Sequence, residues 1–257
     1  MFKFLNYKLE GKGKTIILIH GLFGNLDNLG MLARNFKIDH QILSIDLRNH
    51  GFSFHNNQHN YEVMASDIFT LITKLNLSTI KIIGHSMGGK VAMKVAELMQ
   101  NQISKLVILD IAPVKYSART YDNTIDGIQA VKQEQPKNRK DALSILRKYI
   151  QLKNVRQFLG KSLYSNKGII TWRFNSDSII ANYEHILDWT PVALNSTPTL
   201  FLKGMNSSYL LPKHRSLLKK QVSNFKIHVI ANTGHWLHAE NPFEVIKVIR
   251  TFFKEKI

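Results

Sequence analysis

Thr79-Ile80-Lys81-Ile82-Ile83-Gly84-His85-Ser86-Met87-Gly88-Gly89 is the stretch on which the reading of this chain turns. It opens as a β-branched apolar run and closes in a turn of small residues around one Ser. Directly after it, Val91, Ala92, Val95, Ala96 and Met99 recur at helical spacing. Strand, G-x-S-x-G and helix in that order make a sharp elbow. A Ser at such a corner sits in a strained backbone conformation, so its neighbours two away on either side must be small. Gly84 and Gly88 meet that need, and Gly89 lets the helix start close to the strand. Ser86 then projects above the sheet, near the partial positive charge of a helix N-terminus. The bland alternative is a glycine-rich turn with an ordinary surface Ser. The strand before and the helix after favour a nucleophile.

Working outward, the same rhythm recurs on both sides. Residues 2–9 alternate as an edge strand. Thr15–Ile19, Gln41–Ile45 and Lys105–Leu109 are apolar runs of the kind found in strands buried on both faces of a parallel sheet. Helical patterns lie between them: Leu29, Leu32, Ala33 and Phe36 mark one, and Asn60 caps another whose face is Tyr61, Met64, Ala65, Ile68, Leu71, Ile72 and Leu75. From about residue 113 to 196 the pattern is helical, with candidates at 121–134, 139–150, 153–163 and 176–187 and no expected strand. Alternation returns with Pro198–Leu202, a helix near 213–221, Phe225–Ile230, and a last helix from Asn241-Pro242. This predicts an α/β fold: a mostly parallel sheet covered by helices on both faces. Residues 1–112 and 197–257 form the core, and 113–196 form a helical lid inserted after the sixth strand.

Composition narrows the function. The chain has 257 residues, 44% hydrophobic, and no Cys, which excludes disulfides, thiolate catalysis and Cys-ligated metals. No apolar run approaches the ~18 residues of a spanning helix. The N-terminus lacks a signal-peptide pattern, so a cytoplasmic protein is expected. The net charge of +17 is spread almost evenly. Only Lys203, Lys213, Arg215, Lys219, Lys220 and Lys226 form a one-sided region. A solvated basic surface explains this better than a nucleic-acid interface.

A Ser hydroxyl needs a base, and the base needs an orienting group. Where an elbow of this kind carries a triad, the acid and the His follow the Ser in the chain. Two histidines stand after the last strand, His235 and His238. His235, next to Gly234, is placed to aim its ring across the sheet; His238 suits packing or capping. The acid commonly follows the seventh strand of such sheets, yet no Asp or Glu occurs between Asp188 and Glu240. Asp110, at the tip of the strand after the Ser86 unit, is the preferred acid, with a helix cap or hinge contact as its alternative role. Asp126 and Asp188 are the outside candidates. For the oxyanion hole, Met87 supplies one N–H, and Leu22 or Phe23 the second. His20 is read as structural, and Asp46, Arg48, His50 and Ser53 as scaffold. No cofactor or metal is expected.

His20-Gly21-Leu22-Phe23-Gly24, Asp46-Leu47-Arg48-Asn49-His50-Gly51, Gly84-His85-Ser86-Met87-Gly88-Gly89-Lys90, Leu109-Asp110-Ile111-Ala112-Pro113-Val114 and Gly234-His235-Trp236 occur in that order. With Trp172-Arg173-Phe174-Asn175 between the last two, the chain resembles the α/β hydrolases nearly end to end, and more closely the YbfF-type bacterial esterases. The resemblance implies cofactor-free hydrolysis of short-chain carboxylic esters, with acyl-CoA thioesters as a further class. It also implies a triad of Ser86, Asp110 and His235. Two rivals stay open: perhydrolase, carbon–carbon hydrolase or lyase chemistry on the same residues, and a non-catalytic basic binding protein.

Overall fold

The computed structural model describes residues 4–117 and 122–254. Its frame is a seven-stranded sheet: β1 (Tyr7–Glu10), β2 (Thr15–Ile19), β3 (Gln41–Ile45), β4 (Ile80–His85), β5 (Ile103–Leu109), β8 (Thr199–Gly204) and β9 (Phe225–Ile230). Their spatial order is β1-β3-β2-β4-β5-β8-β9, and only β1 runs antiparallel. The apolar runs are buried because helices cover both faces. Alternate side chains go to opposite sides. Ile17, Ile19, Ile82, Leu106 and Ile108 pack with α2 (Tyr61–Lys74) and α3 (Met87–Leu98). Ile16, Leu18, Ile83, Val107 and Leu109 pack with α1 (Gly30–Phe36) and α11 (Pro242–Lys254). Among the described residues no helix is long and apolar enough to cross a membrane.

The stretch between β5 and β8 builds its own core, and here the expectation needs correcting. Helices α4 (Asp122–Glu134), α5 (Arg139–Tyr149) and α6 (Lys153–Gly160) form near the expected ranges. The chain then makes a hairpin, β6 (Leu163–Asn166) and β7 (Ile169–Trp172), where no strand is expected. Its two-residue turn, Lys167 and Gly168, has φ of 50° and 82°, the primed geometry that matches strand twist. The expected helix 176–187 is divided at Asn182 into α7 (Ser176–Ala181) and α8 (Tyr183–Leu187). Among the described residues the insertion also follows the fifth strand rather than the expected sixth. Residues 2 and 3 of the expected first strand, and residue 121 of the expected fourth helix, lie outside the described residues. A 3-10 turn at Pro212–His214 leads into α9 (Arg215–Gln221), and α10 (Leu237–Glu240) precedes α11.

Candidate active site

Ser86 stands between β4 and α3 with φ 53° and ψ −122°, a conformation that L residues avoid. Its surroundings enforce it. A Cβ on Gly84 would overlap the Gly88 carbonyl, and one on Gly88 would overlap the Ile19 and His20 carbonyls. The strand and helix are therefore in backbone contact, and the corner between them has no room to relax. The Ser86 N–H donates to the Leu109 carbonyl at 3.0 Å, which ties the corner to the end of β5.

Position 110 is the next residue beyond β5. Asp110 also has a positive φ, 52°, and its N–H donates to the Leu202 carbonyl at 2.8 Å. Its side chain is fully buried. Oδ1 accepts from the Gly204 N–H at 3.0 Å, and Oδ2 accepts from the Ser207 hydroxyl. His235 follows β9 in the turn before α10. Its Nδ1 lies 2.8 Å from Asp110 Oδ2, and its Nε2 lies 3.0 Å from Ser86 Oγ. A carboxylate accepts, so Nδ1 carries the proton and Nε2 presents its lone pair to the Ser hydroxyl. Tyr209 stacks on the ring at 4.1 Å. His85 donates from Nε2 to the His235 carbonyl at 2.9 Å. Burial holds His85 well below the usual histidine range, so it stays neutral and adds no charge beside the base.

The three residues picked from the sequence thus meet at one rim of the sheet, from the ends of β4, β5 and β9. Asp188 and Asp126 do not join them. Asp188 pairs with Lys115 at 3.4 Å, and Asp126 is exposed. His238 packs as expected, its buried ring 4.4 Å from His85, and burial pushes it down to about 3.

The candidate oxyanion donors divide differently from the expectation. Met87 opens α3, and among the described residues its N–H and that of Leu22 have no protein acceptor. Phe23 is corrected: its N–H donates to His50 Nε2 at 3.1 Å and is not free for a substrate. Its side chain instead enters the core of the insertion, 5.1 Å from Phe174. His20 is structural, as read. Its Nδ1–H donates to the Gly21 carbonyl at 2.8 Å, and Nε2 accepts the Leu47 N–H at 3.1 Å. The polar turn at 46–53 is scaffold: Asp46 accepts from Asn6, Leu26 and Phe52, and Arg48 clamps Asp67 at 2.6 and 2.8 Å. Sequence reasoning misses Ser207, Tyr209 and Lys90. The first carries a faint signal, a hydroxyl in the acid-free loop after β8. Lys90 carries another, a charge amid the apolar residues of α3.

Two clefts meet at Ser86. One is walled by Leu22, Met87, Tyr61, Lys90 and Ile186. The other runs past His235 between Phe23, Phe158 and Trp236. A strained hydroxyl, an imidazole base, a buried carboxylate and two free N–H groups between mostly apolar clefts can carry out acyl transfer.

Comparison with known proteins identifies the family. The family model described as alpha/beta hydrolase fold matches residues 14–242. The chain is 40% identical to Esterase YbfF of Escherichia coli over 246 residues, covering 96% of this chain and 95% of that one. It is 35% identical to the sn-1-specific diacylglycerol lipase ABHD11 of Danio rerio, over 95% of this chain and 80% of the relative. Among solved structures, a marine microorganism esterase superposes with a TM-score of 0.94 at 35% identity, covering 98% of this chain and all of the other. The chain belongs to the α/β-hydrolase family and, within it, to the esterases.

Proposed function

We propose that Ser86, His235 and Asp110 are the catalytic triad of a carboxylesterase acting on short-chain acyl esters, with acyl-CoA thioesters as a second substrate class. The observation that carries this reading is the His235 ring, which bridges Asp110 and Ser86 at 2.8 and 3.0 Å. Nε2 takes the Ser86 proton as Oγ attacks the acyl carbonyl. The Met87 and Leu22 N–H groups stabilise the oxyanion, each contributing about 2.7–4 kcal/mol. His235 then protonates the leaving alcohol or thiol, and water, activated by the same ring, releases the acid. Asp110 holds the tautomer and balances the imidazolium charge.

Residues 113–196 act as a lid over the strand ends, supported by their separate apolar core and its contact with Phe23. The short acyl chain fits the cleft beside Leu22 and Met87, and the leaving group the cleft beside Trp236. The diacylglycerol lipases among the relatives add glyceride esters as a class to assay. A cytoplasmic location fits a chain without cysteine. Ser86→Ala should abolish p-nitrophenyl butyrate hydrolysis and labelling by a serine-directed phosphonate, with the fold unchanged by circular dichroism. Retained turnover would overturn the assignment. A profile of esters and thioesters by acyl length sets the substrate range, and turnover of esters but no thioester would remove the second class.

A further inference from the structure

Triad chemistry creates a charge at the base. When Nε2 takes the Ser86 proton, His235 becomes an imidazolium, once in acylation and again in deacylation. Its side chain is only 10% exposed, so water does little to solvate that charge. Asp110 Oδ2 meets the ring along one edge, 2.8 Å from Nδ1, and Ser86 Oγ meets it along another, 3.0 Å from Nε2. Both lie at the rim of the imidazole and leave its faces to other groups. One face is covered by Tyr209, whose ring centre is 4.1 Å away at an interplanar angle of 29°. The other rings beside His235 are farther off and more steeply tilted: His85 at 4.8 Å and 42°, Trp236 at 5.6 Å and 69°. The face of an aromatic ring is the negative side of its quadrupole, and it attracts a cation held within about 6 Å of its centre. The attraction grows as the imidazole gains its proton.

Tyr209 is fixed by the same groups that fix the acid. Its N–H donates to Ser207 Oγ at 3.2 Å, and the Ser207 hydroxyl donates to Asp110 Oδ2. Its carbonyl accepts from the Tyr116 hydroxyl at 2.6 Å. The same Tyr116 oxygen accepts the Ala112 N–H at 2.9 Å, two residues beyond Asp110. The Tyr116 ring stands edge-on to Tyr209 at 5.5 Å, and the next residue, Leu210, is buried in the core. The Tyr209 face and the Asp110 carboxylate are thereby one unit. They act on the same imidazolium from two directions, one across the ring and one in its plane.

We propose that Tyr209 is a positioning residue of the esterase, acting through His235: its ring face stabilises the imidazolium that forms in both transition states. The proposal rests on the triad reading above. It is tested by placing phenylalanine, 4-fluorophenylalanine and 3,4,5-trifluorophenylalanine at position 209. Fluorine withdraws the charge of the ring face and barely changes its shape, and Tyr209→Phe is the reference. The expected result is a stepwise fall in kcat for p-nitrophenyl butyrate, about 3- to 30-fold from phenylalanine to the trifluoro ring, with KM within about 3-fold. The inhibition constant of a trifluoromethyl ketone should rise in parallel, because its adduct on Ser86 pairs an oxyanion with the imidazolium. A kcat level across the series would mean packing alone and would overturn the proposal, as would a fall confined to KM or an inhibition constant that stays constant. Tyr209→Leu, which has no ring face, should lose at least as much kcat as the trifluoro ring, and an unimpaired Tyr209→Leu overturns the proposal. If Tyr209→Leu does not fold, the fluorinated series decides by itself. Ser86→Ala run alongside separates the two ideas. Turnover by Ser86→Ala sinks the triad reading; a dead Ser86→Ala with a level fluorine series sinks only the role of Tyr209.

Discussion

The Ser207 hydroxyl donates to Asp110 Oδ2, the same carboxylate oxygen that accepts from His235 Nδ1. Ser207 stands in the loop after β8, the loop that holds no carboxylate of its own. The loop therefore contributes donors in place of the acid. Ser207 O–H and Gly204 N–H converge on a carboxylate reached from the tip of β5. A fully buried charge needs such partners, because desolvation without them costs several kcal/mol.

Asp110→Asn should lower kcat about 10³- to 10⁴-fold with little change in KM, because an amide can donate to His235 Nδ1 and so drive the proton onto the wrong ring nitrogen. Ser207→Ala removes one donor and leaves the carboxylate in place. A hydrogen bond to a charged group contributes about 1.5–3 kcal/mol, so the loss in kcat should stay near 10- to 100-fold. Steady-state kinetics on both variants checks the order. Equal losses, or a silent Ser207→Ala, would contradict the division of labour.

The end of β8 and the turn carrying His235 are in backbone contact. A Cβ on Gly204 would overlap the Gly234 carbonyl oxygen, and the Gly204 N–H is one of the Asp110 donors. Gly204→Ala should therefore push the His235 turn away from Asp110, costing about 1–3 kcal/mol of stability and most of the activity. Gly168→Ala is the control. It sits at φ 82° with nothing within 4 Å, so it costs about 1–2 kcal/mol of backbone strain and leaves kcat untouched. Denaturant midpoints and kcat measured together separate the two.

Most of the sheet is legible in the sequence because parallel strands buried on both faces are continuous apolar runs, as Thr15–Ile19 and Lys105–Leu109 show. The elbow is legible because backbone contact demands glycine at two fixed positions. Asp110 is legible by default, since the loop after β8 lies in a stretch with no Asp or Glu between Asp188 and Glu240. The hairpin at 163–172 is not: each strand is four residues long, and Lys167 gives no turn signal at a position that needs positive φ. Nor is the loss of Phe23 as an oxyanion donor. Its N–H is taken by a ring 27 positions along the chain, and local patterns do not encode partners at that distance.

Lys90 offers a test through pH. Its ammonium donates to the Asp188 carbonyl at 3.1 Å and lies 4.9 Å from the Tyr116 ring, 5.1 Å from Tyr61 and 5.5 Å from Trp189. Burial lowers it from 10.5 to about 7, against the pull of the Asp188 charge, which raises it. Below about pH 7 the folded and unfolded chains both hold the proton, and the cost of burying the charge is constant. Between about 7 and 10.5 the unfolded chain holds a proton that the folded chain has released, so the contribution of Lys90 to stability rises with pH. Lys90→Met has no such titration. The unfolding free energy of the wild type minus that of Lys90→Met should therefore increase from pH 7 to pH 10, by at most about 1.4 kcal/mol per pH unit. Taking the difference cancels every other group that titrates in this range. Urea denaturation of both proteins at several pH values in that window is the measurement, and a difference that stays level or falls would show that Lys90 keeps its charge in the folded protein.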